Sequence, residues 1–169
     1  MRKKKEPNPK RTMQIAIAGG VITIVLVIIV NYYLDQTTLS GQRFGDQLAQ
    51  IQQDLKNETL TFDAHLTQYK AGQIPKDQML KITDDHIKTV QSFLPRYDSL
   101  KAPDLFNPSL QLFRLSTETQ IQSDNALREW IVTGNNATME KSDQLLQQSF
   151  QYEMNALNSY EKAKSGGSQ

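Results

Sequence analysis

Residues 13–34 form an apolar run directly behind a basic tail, and the stretch 15–30 within it carries no charged side chain. As a helix rising about 1.5 Å per residue the run is roughly 33 Å long, which matches a hydrocarbon core of about 30 Å. Arg2, Lys3, Lys4, Lys5, Lys10 and Arg11 precede it, against the single acid Glu6. An excess of cations marks the cytoplasmic side, so the N-terminus is expected inside and everything after Tyr33 outside. A cleaved signal peptide fits poorly. Its apolar region is about 7–15 residues long and ends on small residues, whereas Tyr32, Tyr33 and Leu34 close this run. The two tyrosines suit the outer interface, with ring in lipid and hydroxyl in water. The expectation is an uncleaved signal-anchor that crosses the cell membrane once.

The chain then divides into a basic cytoplasmic tail (1–12), the anchor (13–34), an extracytoplasmic helical bundle (35–164) and a flexible C-terminal tail (165–169). The first 34 residues hold six Lys/Arg and one acid, a charge of +5; the rest hold thirteen Lys/Arg and seventeen acids, a charge of −4. A mildly acidic outer part argues against nucleic acid as a partner. With no cysteine, disulfides and thiolate chemistry are excluded, so an outer domain must hold itself by packing. A prokaryotic envelope is the expected setting.

Four helical segments follow the anchor. The first spans about 41–71: Phe44, Leu48, Ile51, Leu55, Phe62, Leu66 and Tyr69 keep a coiled-coil-like heptad seam that lacks only the member near Glu58. Gly72 is its expected stop. The second starts at Pro75 and reaches about Leu100, with Met79, Ile82, Ile87, Val90, Phe93 and Leu94 on its apolar face. Pro95 should kink or end it. Residues 101–108 read as a linker. The third spans about 109–133 with Leu110, Phe113, Thr117, Ile121, Leu127, Trp130 and Ile131 inward, and Gly134 ends it. The fourth spans about 138–163 with Met139, Leu146, Phe150, Met154, Leu157 and Tyr160 on one side. Gln50, Gln52, Gln53, Gln144, Gln147, Gln148 and Gln151 read as a solvated outer face. No segment alternates with period two. The fold class is therefore all-α, a single N-terminal transmembrane helix followed by an antiparallel up-down four-helix bundle.

Few residues point to chemistry. His65 and His86 near one another, with a carboxylate, would suit a divalent cation. No helical Glu-x-x-His or His-x-x-x-His pair supports that, so both read as partly exposed surface histidines, and neither metal nor cofactor is expected. Asp84, Asp85 and the acids from Glu118 to Asp124 read as spaced around helix surfaces. No nucleophile elbow, P-loop or dinucleotide motif occurs, and the chain is expected not to be an enzyme. Arg128 with Trp130 would clasp an anionic ligand or anchor an interface; the plainer reading makes Trp130 a cap on the distal core. Thr117, Gln120 and Asp124 fall where the third helix turns inward, as a register device, a ligand pocket or a partner contact. In the anchor, Ala16, Gly19 and Gly20 offer a small-residue face to a second span, from a homodimer or a membrane-protein partner. Asn57 and Asn136 head N-x-Thr glycosylation patterns.

The stretch from Ala126 to Gly134, with Arg128, Trp130 and Thr133, then Asn135, Asn136 and a helix running from Met139 to Tyr160, resembles the corner between helices three and four of prokaryotic four-helix-bundle sensory ectodomains. It is also similar to uncharacterised envelope proteins with a Tyr-Glu-x-x-Ala-Leu run, here 152–157. The resemblance implies a ligand-binding outer bundle. Sensory receptors continue into a second span and a cytoplasmic signalling region; neither is expected after residue 169, so sensing here implies a signalling partner. The first functional expectation is a non-enzymatic accessory subunit or interaction scaffold of an envelope complex. The alternative is a sensory-type ectodomain.

Overall fold

A computed structural model of the protein describes residues 39–166. The basic tail, the anchor with Ala16, Gly19 and Gly20, and residues 167–169 lie outside the described residues. Among those described, the chain is all-helical: α1 (Leu39–Lys70), α2 (Lys76–Gln91), α3 (Leu94–Ser99), a 3-10 turn (Asp104–Phe106), α4 (Asn107–Thr133) and α5 (Asn136–Gly166). None of these helices is long and apolar enough to cross a membrane.

The breaks have local causes. Gly72 (φ 76°) and Gly134 (φ 71°) take the left-handed conformation that ends a helix without Cβ strain. The Gly134 N–H reaches back to the Trp130 carbonyl at 2.7 Å. Asn135 then starts α5, its Oδ1 accepting the Ala137 N–H at 3.0 Å. Pro95 acts upstream of itself. It has no N–H for the Gln91 carbonyl and its ring crowds that group, so α2 stops at Gln91 and α3 restarts with Pro95 in its first turn. The fourth helix runs on to Gly166, two residues into the expected tail.

With α2 and α3 counted as one kinked arm, there are four arms running in alternating directions. Gln52 meets Tyr97 and Phe62 meets His86. His86 meets Asp124 and Tyr97 meets Thr117. Ser116 meets Ser149 and Ser123 meets Ser142. The closest pairing is α4 with α5. Ser116 and Ser123, seven residues apart, face Ser149 and Ser142, and Ser109 and Ala156, one heptad further along each helix, are fully buried. The Ser116 hydroxyl donates to the Ser149 carbonyl at 2.9 Å, and the Ser149 hydroxyl returns the bond at 3.0 Å. Hydroxyls reach the facing backbone only if the helix axes lie close, which small side chains permit. The expected inward face of the fourth helix holds in part: Leu157 is buried and Met139 and Tyr160 pack on the end clusters, but Met154 is 39% exposed and the closest packing is made by Ser142, Ser149 and Ala156.

Apolar clusters close both ends. At the base Phe44, Leu48, Ile51, Phe93, Phe106, Phe113 and Leu157 pack around Tyr97. At the far end Phe62, Ile74, Met79, Leu127 and Ile131 pack with Tyr69 and Trp130. Between them lies a waist where only Ile87, Val90 and Ile121 form an apolar group. α1 packs on α2 and comes little toward α5; the two meet at the base, where Phe44 and Tyr160 sit 6.5 Å apart.

Candidate functional site

His86 sits at the centre of the waist, 2% exposed. Its ring lies flat on Phe62, with centroids 4.0 Å apart and 3° between planes. Nδ1 is 2.9 Å from Glu58 Oε1 on α1, and Nε2 is 3.4 Å from Asp124 Oδ2 on α4. The second contact is an ion pair without an aligned hydrogen bond, so Nε2 and Oδ2 are both buried and unbonded. Leaving such atoms unbonded costs about 1–3 kcal/mol each. Two carboxylates facing opposite ends of one ring ask for an imidazolium, which donates from both nitrogens. Burial pulls the imidazole down, but Asp124 first and Glu58 second outweigh it, and the net direction is up. Phe62 adds a ring face to the cation. Burial also pushes the Asp124 carboxyl up, opposed by His86. Nearby Asp63 is pushed up to about 6 by partial desolvation, with His86 and Lys70 opposing and Asp124 adding. Its side chain still reaches solvent, which weakens that push.

Beside the histidine runs a ladder of hydroxyls and amides. Gln52 Nε2 donates to the Tyr97 hydroxyl at 2.7 Å, which lies 3.1 Å from Thr117 Oγ1. Burial raises the Tyr97 hydroxyl well above its ordinary value and keeps it neutral. Gln120 Nε2 donates to Thr59 Oγ1 at 3.0 Å, and Thr59 passes its own proton to the Leu55 carbonyl. Gln52, Thr59, Thr117 and Gln120, with Lys56, Ser116, Ser149, Phe150 and Glu153, line a cavity of about 20 Å³ under the seam between α1 and α5. Glu153 is half-buried in its wall, and burial alone pushes its carboxyl up to about 7.

The structure separates the residues that the sequence grouped. Thr117 and Gln120 line the cavity; Asp124 stands one turn further on, at His86. Arg128 and Trp130 point apart. The Arg128 guanidinium holds both oxygens of Asp84 in a surface pair that lowers the Asp84 carboxyl. Trp130 packs edge-on to Tyr69 at 6.0 Å under Lys70. The clasp is thereby corrected: Arg128 is already engaged by its neighbour, and Trp130 belongs to the distal core. His65 and His86 share no site, and His65 Nδ1 is buried without a partner. No group of three or more His, Asp or Glu among the described residues is arranged to hold a metal, since the carboxylates diverge around His86. Asn57 and Asn136 are exposed on α1 and at the start of α5.

Two expectations of exposure fail: Gln52 is 3% exposed and His86 2%. Asp124, 6% exposed, lies inward with Thr117 and Gln120, as their shared place on the third helix suggests, and not on the surface with the other acids. Glu58 escaped notice as a site residue, yet its signal was the gap in the α1 heptad seam. A polar residue where the seam demands an apolar one reports a buried partner. The corner at Gly134 and Asn135 turns α4 into α5. No protein family, curated protein or solved structure compared with the chain matches it.

Proposed function

We propose that this chain is a non-enzymatic, single-span membrane protein that presents its helical bundle outside the cytoplasm and serves as an accessory subunit or interaction scaffold of an envelope complex. The observation that supports this reading is the uncharged run behind six cations, with only residues 35–38 between it and α1. A bundle joined so directly to an anchor positions a partner at the membrane surface. The small face of Ala16, Gly19 and Gly20 gives a second span, from a partner or another copy, room to approach.

Because the chain contains no cysteine, single-cysteine labelling tests the topology. Gln50→Cys in intact cells should react with a membrane-impermeant maleimide and Asn8→Cys should not. Mild-detergent purification from native expression should then bring a stoichiometric membrane protein. A protected Gln50→Cys would refute the topology, and a clean monomer would refute the scaffold.

A second reading, a ligand-binding sensory-type ectodomain that signals through another protein, is favoured by the waist cavity. Its wall, held by residues of α1, α4 and α5, sets hydroxyls, amides and Glu153 among Leu55, Phe113 and Phe150, unlike the apolar packing above and below it.

A further inference from the structure

We propose that the waist cavity binds the primary ammonium group of a small ligand, seated against the carboxylate of Glu153. The inference rests on the ligand-binding reading and names its chemistry.

The hydroxyl protons of the wall are spent. Ser116 and Ser149 donate to each other's carbonyls, Thr59 to Leu55 and Thr117 to Phe113. One N–H of each amide is engaged as well, Gln52 on Tyr97 and Gln120 on Thr59. Among the neutral groups of the wall that leaves the second N–H of each amide against a larger number of acceptors, the hydroxyl lone pairs and the two amide oxygens. A guest that suits such a lining brings donors and no acceptor, and an ammonium brings three.

Charge points the same way. Glu153 is half-buried and has no hydrogen-bond or ion-pair partner among the described residues. A carboxylate taken partly out of water without a counter-charge is costly, and a cation in the cavity removes that cost. The enclosed volume of about 20 Å³ accepts a group the size of a water molecule, hence an ammonium head but not a quaternary one. The rest of the ligand would leave through the seam between α1 and α5, past Lys56 at the wall. Lys56 makes no ion pair with Glu153, and its charge disfavours a second cation on the same ligand.

The test is thermal melting of the full-length protein in detergent micelles at pH 8, with methylammonium chloride as probe. Tetramethylammonium and sodium chloride at equal concentration are the controls. Methylammonium should raise the melting temperature saturably, by about 2–5 °C near saturation, and the controls should not. Glu153→Gln, which keeps the shape, should abolish the shift; Lys56→Met should keep it. Equal shifts with all three salts, or a full shift in Glu153→Gln, would overturn the proposal. Loss of the shift in Lys56→Met, with a melting point lowered below the parent's, would make Lys56 the counter-ion and overturn it too. Acetate and glycerol run alongside separate the two levels. A saturable shift from either, removed by Gln120→Leu, keeps the ligand-binding reading and refutes the ammonium. No shift from any probe refutes both.

Discussion

The base of the bundle and its waist solve the same packing problem in opposite ways. At the base, Phe44, Phe106 and Tyr160 pack their rings at 4.9–6.5 Å on a bed of Leu48, Ile51, Phe113 and Leu157. Such contacts are non-directional and scale with the area they bury. In the waist the same helices meet through His86, Glu58, Asp124, Gln52, Thr59 and Gln120, where each contact needs one partner at one angle. The base supplies stability that tolerates volume-conserving change. The waist adds little net stability and fixes register, because any slip leaves buried polar groups unpaired. It is also where a proton or a small ligand has something to bind.

The comparison breaks most easily at the base. Phe44→Ala, at 1% exposure, should cost about 4 kcal/mol in denaturant unfolding and leave the pH dependence of stability unchanged. Asp124→Ala should cost about 3 kcal/mol by stranding the His86 cation. Replacing the whole centre with Glu58→Met, His86→Met and Asp124→Leu should come within about 1 kcal/mol of the parent. A triple variant as unstable as Asp124→Ala would mean that the waist stabilises as the base does. Ser149→Val should cost about 2 kcal/mol by pushing α5 off α4, read in the same unfolding curves.

Smaller effects sharpen the picture. Glu153 is raised in the fold from 4.5 to about 7, so the folded state holds its proton more tightly. Its contribution is intact below pH 4.5 and falls away as the pH rises toward 7. Glu153→Gln should therefore match the parent at low pH and exceed it above pH 7 by about 1–2 kcal/mol, after discounting for its partial exposure. His86, also raised, contributes fully below pH 6.5 and loses its share as the pH passes its folded value. The fall in stability that remains in Glu153→Gln above pH 6.5 should vanish in the triple Met/Leu variant. The smallest effect belongs to Arg128→Ala, a solvent-exposed pair whose removal should leave the melting midpoint indistinguishable from the parent.

Much of the fold was legible because its punctuation is local. Gly72, Pro75, Pro95 and Gly134 each act through their own backbone, so the four arms and their ends could be read within a few residues. What depends on a partner could not. Ser116, Ser123, Ser142 and Ser149 look like surface serines until the opposite helix is known, so the sequence shows Leu157 and Tyr160 on the inner side of α5 but not the serine seam beside them. Gln52 carries a polar side chain whose burial is set by Tyr97, far away in sequence. Thr117, Gln120 and Asp124 interrupt an inward face and all three are buried, the first two at the cavity. Glu58 interrupts the α1 seam in the same way, but its meaning needed His86 opposite. The apolar run 13–34 lies outside the described residues, and its reading as an anchor stands on the sequence alone.

The waist depends on His86 being a cation held inside the bundle by two carboxylates. Nitrogen-15 NMR of the histidine side chains in the full-length protein measures this directly, with His65→Gln separating the chain's two histidines. The expected result is a His86 midpoint above 6.5 and, at pH 6, two slowly exchanging ring N–H protons. A midpoint below 6.5, or a neutral ring with one N–H at pH 6, would show that Glu58 and Asp124 do not hold a cation between them.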